Sequence, residues 1–162
     1  MTRAAILGVL GLAACSSQAP EPTGIGPYKF GRTTAASIHD GNCQPTELSD
    51  GRKAIWCFAL PPIKVGQHVA EVDTYFSMAP PYTKDDAPLI EIQLKVRGCV
   101  EDEAERWMRE RFGPPIESKS TREYWKNSFL WAAAFLPSEP GRCIIHFLPL
   151  AENAEIDRLK AE

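Results

Sequence analysis

The sequence predicts an α+β domain: a mostly antiparallel sheet, two helices packed on one of its faces, and a further helix at the carboxyl terminus. Short apolar or alternating segments recur between turns that contain glycine and proline, which is typical of antiparallel strands. Residues 100–112 instead repeat their apolar side chains at helical spacing. The segments form two similar halves, each of which reads as strand, helix, strand, strand, and this order favours helices on one side of a sheet.

The first half extends over about residues 26–76. Its segments are, in order, a strand at 26–31, a short helix at 34–38, a turn-rich loop at 42–53 and strands at 54–60 and 67–76. Thr33 or Thr34 can cap the helix and Gly41 can end it. The strand at 54–60 is apolar throughout, which indicates an interior position. The strand at 67–76 alternates, with Ala70, Val72, Thr74 and Phe76 on the inner side and Glu71, Asp73 and Tyr75 on the outer side.

A long connection and the second half follow. Residues 77–88 contain three prolines and predict an exposed loop with Tyr82 near its middle. The remaining segments are a strand at 89–97, the helix at 100–112, strands at 121–125, 129–136 and 142–148, and a charged helix at 151–162. Ala132, Ala133 and Ala134 are small, so we expect another element to pack closely on that strand. Ile156 and Leu159 are the expected anchors of the last helix.

The amino terminus has the parts of an export signal. Arg3 precedes an apolar run that is shorter than the ~20 residues needed to span a bilayer, and small residues lead up to Cys15. Leu12-Ala13-Ala14-Cys15 resembles the lipobox of bacterial lipoproteins. The resemblance implies cleavage before Cys15 and acylation of that residue, which becomes the contact with the lipid bilayer. Ser16, which is not the Asp of inner-membrane retention, implies the outer membrane, with the domain facing the periplasm; the inner membrane and the cell surface stay open as alternatives.

The chain therefore divides into a signal peptide at 1–14, a lipidated cysteine and flexible tether at 15–25, a single α+β domain at 26–150 and a charged helix or tail at 151–162. Four further cysteines, Cys43, Cys57, Cys99 and Cys143, remain for two disulfides in an oxidising compartment. Of the three possible connectivities we favour Cys43 with Cys57 and Cys99 with Cys143. The first bond joins a loop to the strand after it, and the second joins a helix start to the last strand. A metal site that uses His39 and Cys43 is the alternative.

Two motifs resemble known envelope proteins. GPYKFGRT at residues 26–33 looks like the opening of the SmpA/OmlA (BamE-like) outer-membrane lipoproteins, and FGPP at residues 112–115 is similar to the way their helices end. The doubled unit of helix and antiparallel strands resembles the β-lactamase-inhibitor-protein-like fold. The resemblance implies a protein-binding scaffold without catalytic residues.

Composition and motifs speak against several functions. The net charge of −3 and the absence of a basic stripe argue against nucleic acid as a partner. No nucleotide-binding or hydrolase fingerprint occurs, so we expect no enzyme, no small-molecule cofactor and no metal. A cell-wall hydrolase is the alternative from another class, and it requires His68 or His146 to lie in a cleft beside a carboxylate.

The expected function is binding to another, unidentified cell-envelope protein, as an assembly accessory or adaptor. An inhibitor or immunity protein against an envelope hydrolase or toxin is the alternative. Tyrosine and tryptophan are enriched where interfaces concentrate their binding energy. The predicted partner-binding residues are Tyr82, Asp85 and Asp86 in the long loop, and Tyr124 and Trp125 in a hairpin.

Overall fold

A computed structural model describes residues 21–161, and the predicted signal peptide and Cys15 lie outside this range. Antiparallel strands dominate the structure, together with two α-helices, which confirms the α+β class. The strands are β1 (Gly24–Ile25), β2 (Tyr28–Lys29), β3 (Asn42–Glu47), β4 (Lys53–Phe58), β5 (Ile63–Val65), β6 (His68–Ser77), β7 (Leu89–Arg97), β8 (Glu117–Lys119), β9 (Arg122–Lys126), β10 (Leu130–Glu139) and β11 (Arg142–Pro149). The helices are α1 (Glu101–Phe112) and α2 (Asn153–Ala161).

Nine of the strands form one antiparallel sheet. Eight of them follow the order β3-β4-β6-β7-β11-β10-β9-β8, and β5 pairs with the first three residues of β6, His68 to Ala70. β1 and β2 make a separate small hairpin. Strands β7 and β11 lie at the centre, and their pairing runs from Arg97 opposite Arg142 to Ile92 opposite Phe147. The pairing of β6 with β7 joins the two halves of the sequence into a single sheet.

One face of the sheet carries the main core. Alternate residues of the central strands point to this side, among them Val72, Ile92 and Ile145, and all are fully buried. Helix α1 covers this face with Ala104, Trp107 and Met108. The acidic first turn of α1 and the arginines in its last turn match the helix dipole. We call this side of the sheet the covered face.

Helix α2 packs on the opposite face. Ile156 and Leu159 contact Tyr124, Ala133 and Leu148 in a second, smaller apolar cluster. The Tyr124 hydroxyl donates to the backbone carbonyl of Leu159 at 3.2 Å, which fixes the end of the helix. The small side chain of Ala133 lets α2 approach the sheet, while Ala132 and Ala134 belong to the covered face. The expected close packing on this strand therefore occurs on both of its sides.

Several elements differ from the sequence expectations, among them a helix, a loop and the tether near the start of the chain. The predicted helix at 34–38 is one 3-10 turn, Ala35–Ser37, in which Thr34 and Ser37 bond to each other, so the first half lacks a true α-helix. The expectation of two helices on one face of the sheet is therefore wrong, since α1 alone covers that face and α2 packs on the other. Residues 42–47 form β3 instead of a loop, because they pair with β4 along its whole length. The predicted tether is shorter than expected, since β1 already begins at Gly24.

The structure confirms both disulfides and joins the cysteines in the favoured pairs. Cys43 and Cys57 face each other across β3 and β4. Cys99, just before α1, is bonded to Cys143 at the start of β11. The second bond ties the helix that covers the core to the central strand beneath it. Among the described residues, no helix is long and apolar enough to cross a membrane.

Candidate functional site on the open face of the sheet

The face of the sheet opposite α1 is only partly covered, because α2 lies over the β9, β10 and β11 side. We call the uncovered part, on β4, β6, β7 and β11, the open face. Its residues alternate with the core residues Ala70, Val72 and Ile92 of the covered face. The side chains of the open face are Trp56, Phe58, Val69, Glu71, Asp73, Tyr75, Glu91, Gln93, Lys95, Arg97, Ile144 and His146.

A row of aromatic rings occupies the outer part of the open face. The ring centroids of Trp56 and Phe58 are 4.5 Å apart, and Trp56 stacks on Tyr75 at 6.5 Å with an interplanar angle of 10°. The indole Nε1 of Trp56 is buried and has no hydrogen-bond partner among residues 21–161. Burial raises the pKa of the Tyr75 hydroxyl, and the nearby carboxylates of Glu91 and Asp73 add to this effect. Tyr75 therefore stays neutral and keeps a proton that it can donate.

Charged pairs lie beside the aromatic row. Lys95 Nζ donates to Asp73 Oδ2 at 2.6 Å across β6 and β7, and Asp73 is buried by this arrangement. Arg97 Nε lies 3.0 Å from Glu71 Oε1 at the exposed end of the same strands. Each of these four charges on β6 and β7 is thus placed next to an opposite charge.

Glu91 and His146 form a carboxylate–imidazole pair at the centre of the sheet. His146 Nδ1 lies 2.7 Å from Glu91 Oε1, and Gln93 Nε2 donates to the same oxygen at 2.9 Å. Phe135 contacts the imidazole edge-on at a centroid distance of 5.5 Å. A carboxylate that accepts from Nδ1 orients the ring and leaves Nε2 as a base, which is the arrangement that general-base catalysis uses. Within residues 21–161, the only hydrogen-bond partner of the His146 side chain is Glu91, and no hydroxyl or thiol is hydrogen-bonded to the ring.

A small cleft opens where the open face meets α2. It has a volume of about 240 Å³, with Tyr75, Glu91 and Gln93 on its floor. Arg52 forms one wall and donates to both carboxylate oxygens of Glu152, at 3.1 and 2.7 Å; these bonds raise the pKa of Arg52. The cleft is smaller than the ~300 to 1,000 Å³ of typical small-molecule sites.

The long loop places three of the sequence-predicted residues in solvent. Tyr82 is 44% exposed, and Asp85 and Asp86 are exposed as well. Asp86 Oδ1 accepts from the backbone N–H of Thr83 at 2.6 Å and from its hydroxyl at 2.7 Å, and these bonds lower the pKa of Asp86. Asp86 therefore orders the loop, and the backbone N–H of Tyr82 donates to the carbonyl of Ala79 at 3.0 Å, which leaves the Tyr82 ring exposed on a closed turn.

The assignment of Tyr124 and Trp125 to a partner-binding surface is wrong, because each is only 1% exposed. Tyr124 lies beneath α2, and Trp125 is buried in the main core, where its Nε1 donates to the carbonyl of Gly113 at 2.9 Å. Sequence reasoning did not select Trp56 and Tyr75 as binding residues. The outward alternation of Tyr75 with Glu71 and Asp73 was the available signal.

No cluster of three or more metal-ligating side chains occurs within residues 21–161. No family model, curated protein or solved structure matches this chain.

Proposed function

We propose that the chain is a membrane-anchored lipoprotein whose domain binds another cell-envelope protein through the open face. The observation that carries the proposal is the composition of this face: half-buried aromatic rings next to paired charges, on a rigid sheet that α2 leaves uncovered. Protein interfaces combine aromatic side chains in their centre with a polar surround. The unsatisfied Nε1 of Trp56 adds a donor, since a small shift of the ring would let it reach an acceptor on a partner.

The anchor and the compartment rest on the lipobox at Cys15. Two disulfides fit an oxidising compartment outside the cytoplasm. By the resemblance to the SmpA/OmlA (BamE-like) lipoproteins, the role is that of an assembly accessory or adaptor at the outer membrane. Mass analysis of the mature protein tests the anchor: a peptide that begins at acylated Cys15 is expected, and a free Cys15 thiol in an unprocessed chain contradicts it.

The long loop forms a second part of the proposed binding surface. Tyr82 and Asp85 are exposed and lie beside the ordered Asp86, so the loop presents an aromatic ring and negative charge together. An inhibitor that inserts this loop into a basic cleft would use the same features. Identification of the bound protein separates the two roles, because an inhibitor binds a hydrolase or toxin and an adaptor binds an assembly component.

Charge substitution at two exposed valines tests the open face. Val69, on the open face, is 60% exposed, and Val100, before α1, is 48% exposed, so neither substitution disturbs the core. Formaldehyde crosslinking in intact envelopes should join the wild-type chain to a specific protein. We expect Val69→Glu to abolish this product and Val100→Glu to leave it unchanged. An equal amount of product from both variants would show that the open face is not the binding surface.

A cell-wall hydrolase is the second candidate, favoured by the contact between His146 and Glu91. Release of soluble fragments from purified cell wall measures this activity. If it exists, His146→Gln abolishes it while His68→Gln does not, because the His68 Nε2 lies 3.7 Å from Glu103 at the edge of the fold, away from the open face. Absence of any release by the wild-type protein removes this candidate.

A further inference from the structure

The first described residues of the chain are hydrogen-bonded to the turn between β9 and β10. Residues 127–129 connect β9 to β10, and Asn127 Nδ2 donates to the carbonyl of Pro22 at 2.9 Å. The backbone N–H of Ser128 donates to Glu21 Oε2 at 2.9 Å, and this bond lowers the pKa of Glu21. The first described residues of the chain are therefore held against the tip of the β9–β10 hairpin.

The length of the preceding chain limits how far this tip can lie from the anchor. Five residues lie between Cys15 and Glu21, so a fully extended chain reaches at most about 20 Å from one to the other. Strand β10 has ten residues and is about 30 Å long. Its other end, near Gly141, also holds Cys99 through a backbone bond of 3.2 Å. A lipid on Cys15 therefore lies near the end of the sheet that carries Ser128, and Val100 lies at the far end.

The hairpin tip carries aromatic and basic side chains. Phe129 is 49% exposed although it is a large apolar residue. Beside it, Lys126 Nζ lies 4.4 Å from the ring centre of Trp131, and Lys160 Nζ lies 5.7 Å from the same ring. Aromatic rings are enriched at the level of the lipid headgroups, and lysines near the surface are attracted to anionic phospholipid. This group of four residues, Lys126, Phe129, Trp131 and Lys160, is named the hairpin patch.

We infer that the hairpin patch lies on the phospholipid surface around the anchor. This inference rests on the proposed acylation of Cys15, which brings the patch within reach of the bilayer. Phe129 enters the headgroup region and Lys126 faces the anionic phosphates, while Lys160 Nζ is held in an ion pair with Glu117 Oε2 beside them. The strands of the sheet then stand away from the membrane, and the open face points sideways along the bilayer, where a neighbouring envelope protein can reach it.

Photocrosslinking of the acylated protein in vesicles of phosphatidylethanolamine and phosphatidylglycerol tests this contact. Benzoylphenylalanine replaces Phe129 in one variant and Val100 in the control, since both residues are exposed and apolar. After vesicle flotation and illumination, mass spectrometry should find phospholipid adducts at position 129 in large excess over position 100. Lys126→Glu in the first variant should lower the adduct yield severalfold.

The other outcomes overturn the inference in distinguishable ways. If both variants float with the vesicles but give equal adducts or none, the anchor is intact and the hairpin patch does not lie on lipid. If position 129 gives no phospholipid adduct in vesicles but gives a protein adduct in intact envelopes, the hairpin patch binds a protein partner instead of lipid. If neither variant floats, acylation at Cys15 fails, and the lipid contact fails with it.

Discussion

Removal of the disulfide between Cys99 and Cys143 should destabilise the domain more than removal of the bond between Cys43 and Cys57. The two bonds close loops of different length, with sequence separations of 44 and 14 residues. In the loop-entropy model these separations correspond to about 4 and about 3 kcal/mol of stabilisation. The model therefore predicts a difference of about 1 kcal/mol in favour of the longer loop.

The positions of the bonds increase this difference. Cys99 and Cys143 tie α1 to a central strand, so their loss loosens the packing of the main core. Cys43 and Cys57 tie β3 to the sheet, and β3 is an exposed edge strand whose local opening leaves the core closed. Loss of the bond between Cys43 and Cys57 is thus expected to release β3 before the domain unfolds.

Urea unfolding of two double variants measures the effect. Cys99→Ala with Cys143→Ala is compared with Cys43→Ala with Cys57→Ala. Each pair removes one fully buried sulfur, at Cys143 or at Cys57, so the cavity costs are similar. The first variant should have the lower free energy of unfolding, by at least about 1 kcal/mol. Equal stabilities, or the reverse order, would refute the reasoning from loop length and position.

Three further substitutions test the packing and the electrostatics. Burial raises the pKa of the Glu123 carboxyl above its ordinary 4.5, and the charge of Glu105 adds to this. The folded state therefore keeps this proton to higher pH than the unfolded state does, and the domain loses stability as the pH rises from the ordinary pKa through the raised one. Glu123→Gln should therefore raise the free energy of unfolding by up to about 1 kcal/mol at pH 7, and the gain should vanish in urea titrations below pH 4. Leu159→Ala should cost about 2 to 3 kcal/mol and increase hydrogen exchange in α2, since Leu159 anchors that helix; unchanged exchange would contradict its docking. Ala133→Leu should cost about 1 to 3 kcal/mol in thermal unfolding, because it overfills the contact with α2; a neutral result would show that the helix is not closely packed.

The sequence predicts those strands and helices whose apolar periodicity can be seen within their own residues. Strand β7 alternates cleanly and has the predicted bounds, and α1 begins within one residue of the expected position. Strand β3 lacks such a pattern, because it contains Pro45 and is exposed along nearly its whole length. Its conformation is set by pairing with β4 and by a disulfide, which are contacts with residues farther along the chain.

The site is harder to predict than the fold for a similar reason. Residues 130–136 are apolar on both sides, so the sequence does not show which face α2 covers, and this choice buries Tyr124. The contact between Glu91 and His146 joins residues that are 55 positions apart. It exists only because β7 pairs with β11, and nothing local in the sequence indicates that pairing.

Site-specific photocrosslinking in living cells tests the central claim, that the open face binds an envelope protein. Benzoylphenylalanine is placed at Val69 on the open face and, as a matched control, at Val100 beyond it; both positions are exposed. The account predicts one discrete protein adduct from position 69 that Tyr75→Ala weakens, and no comparable adduct from position 100. The same adduct from both positions, or from position 100 alone, would contradict the account.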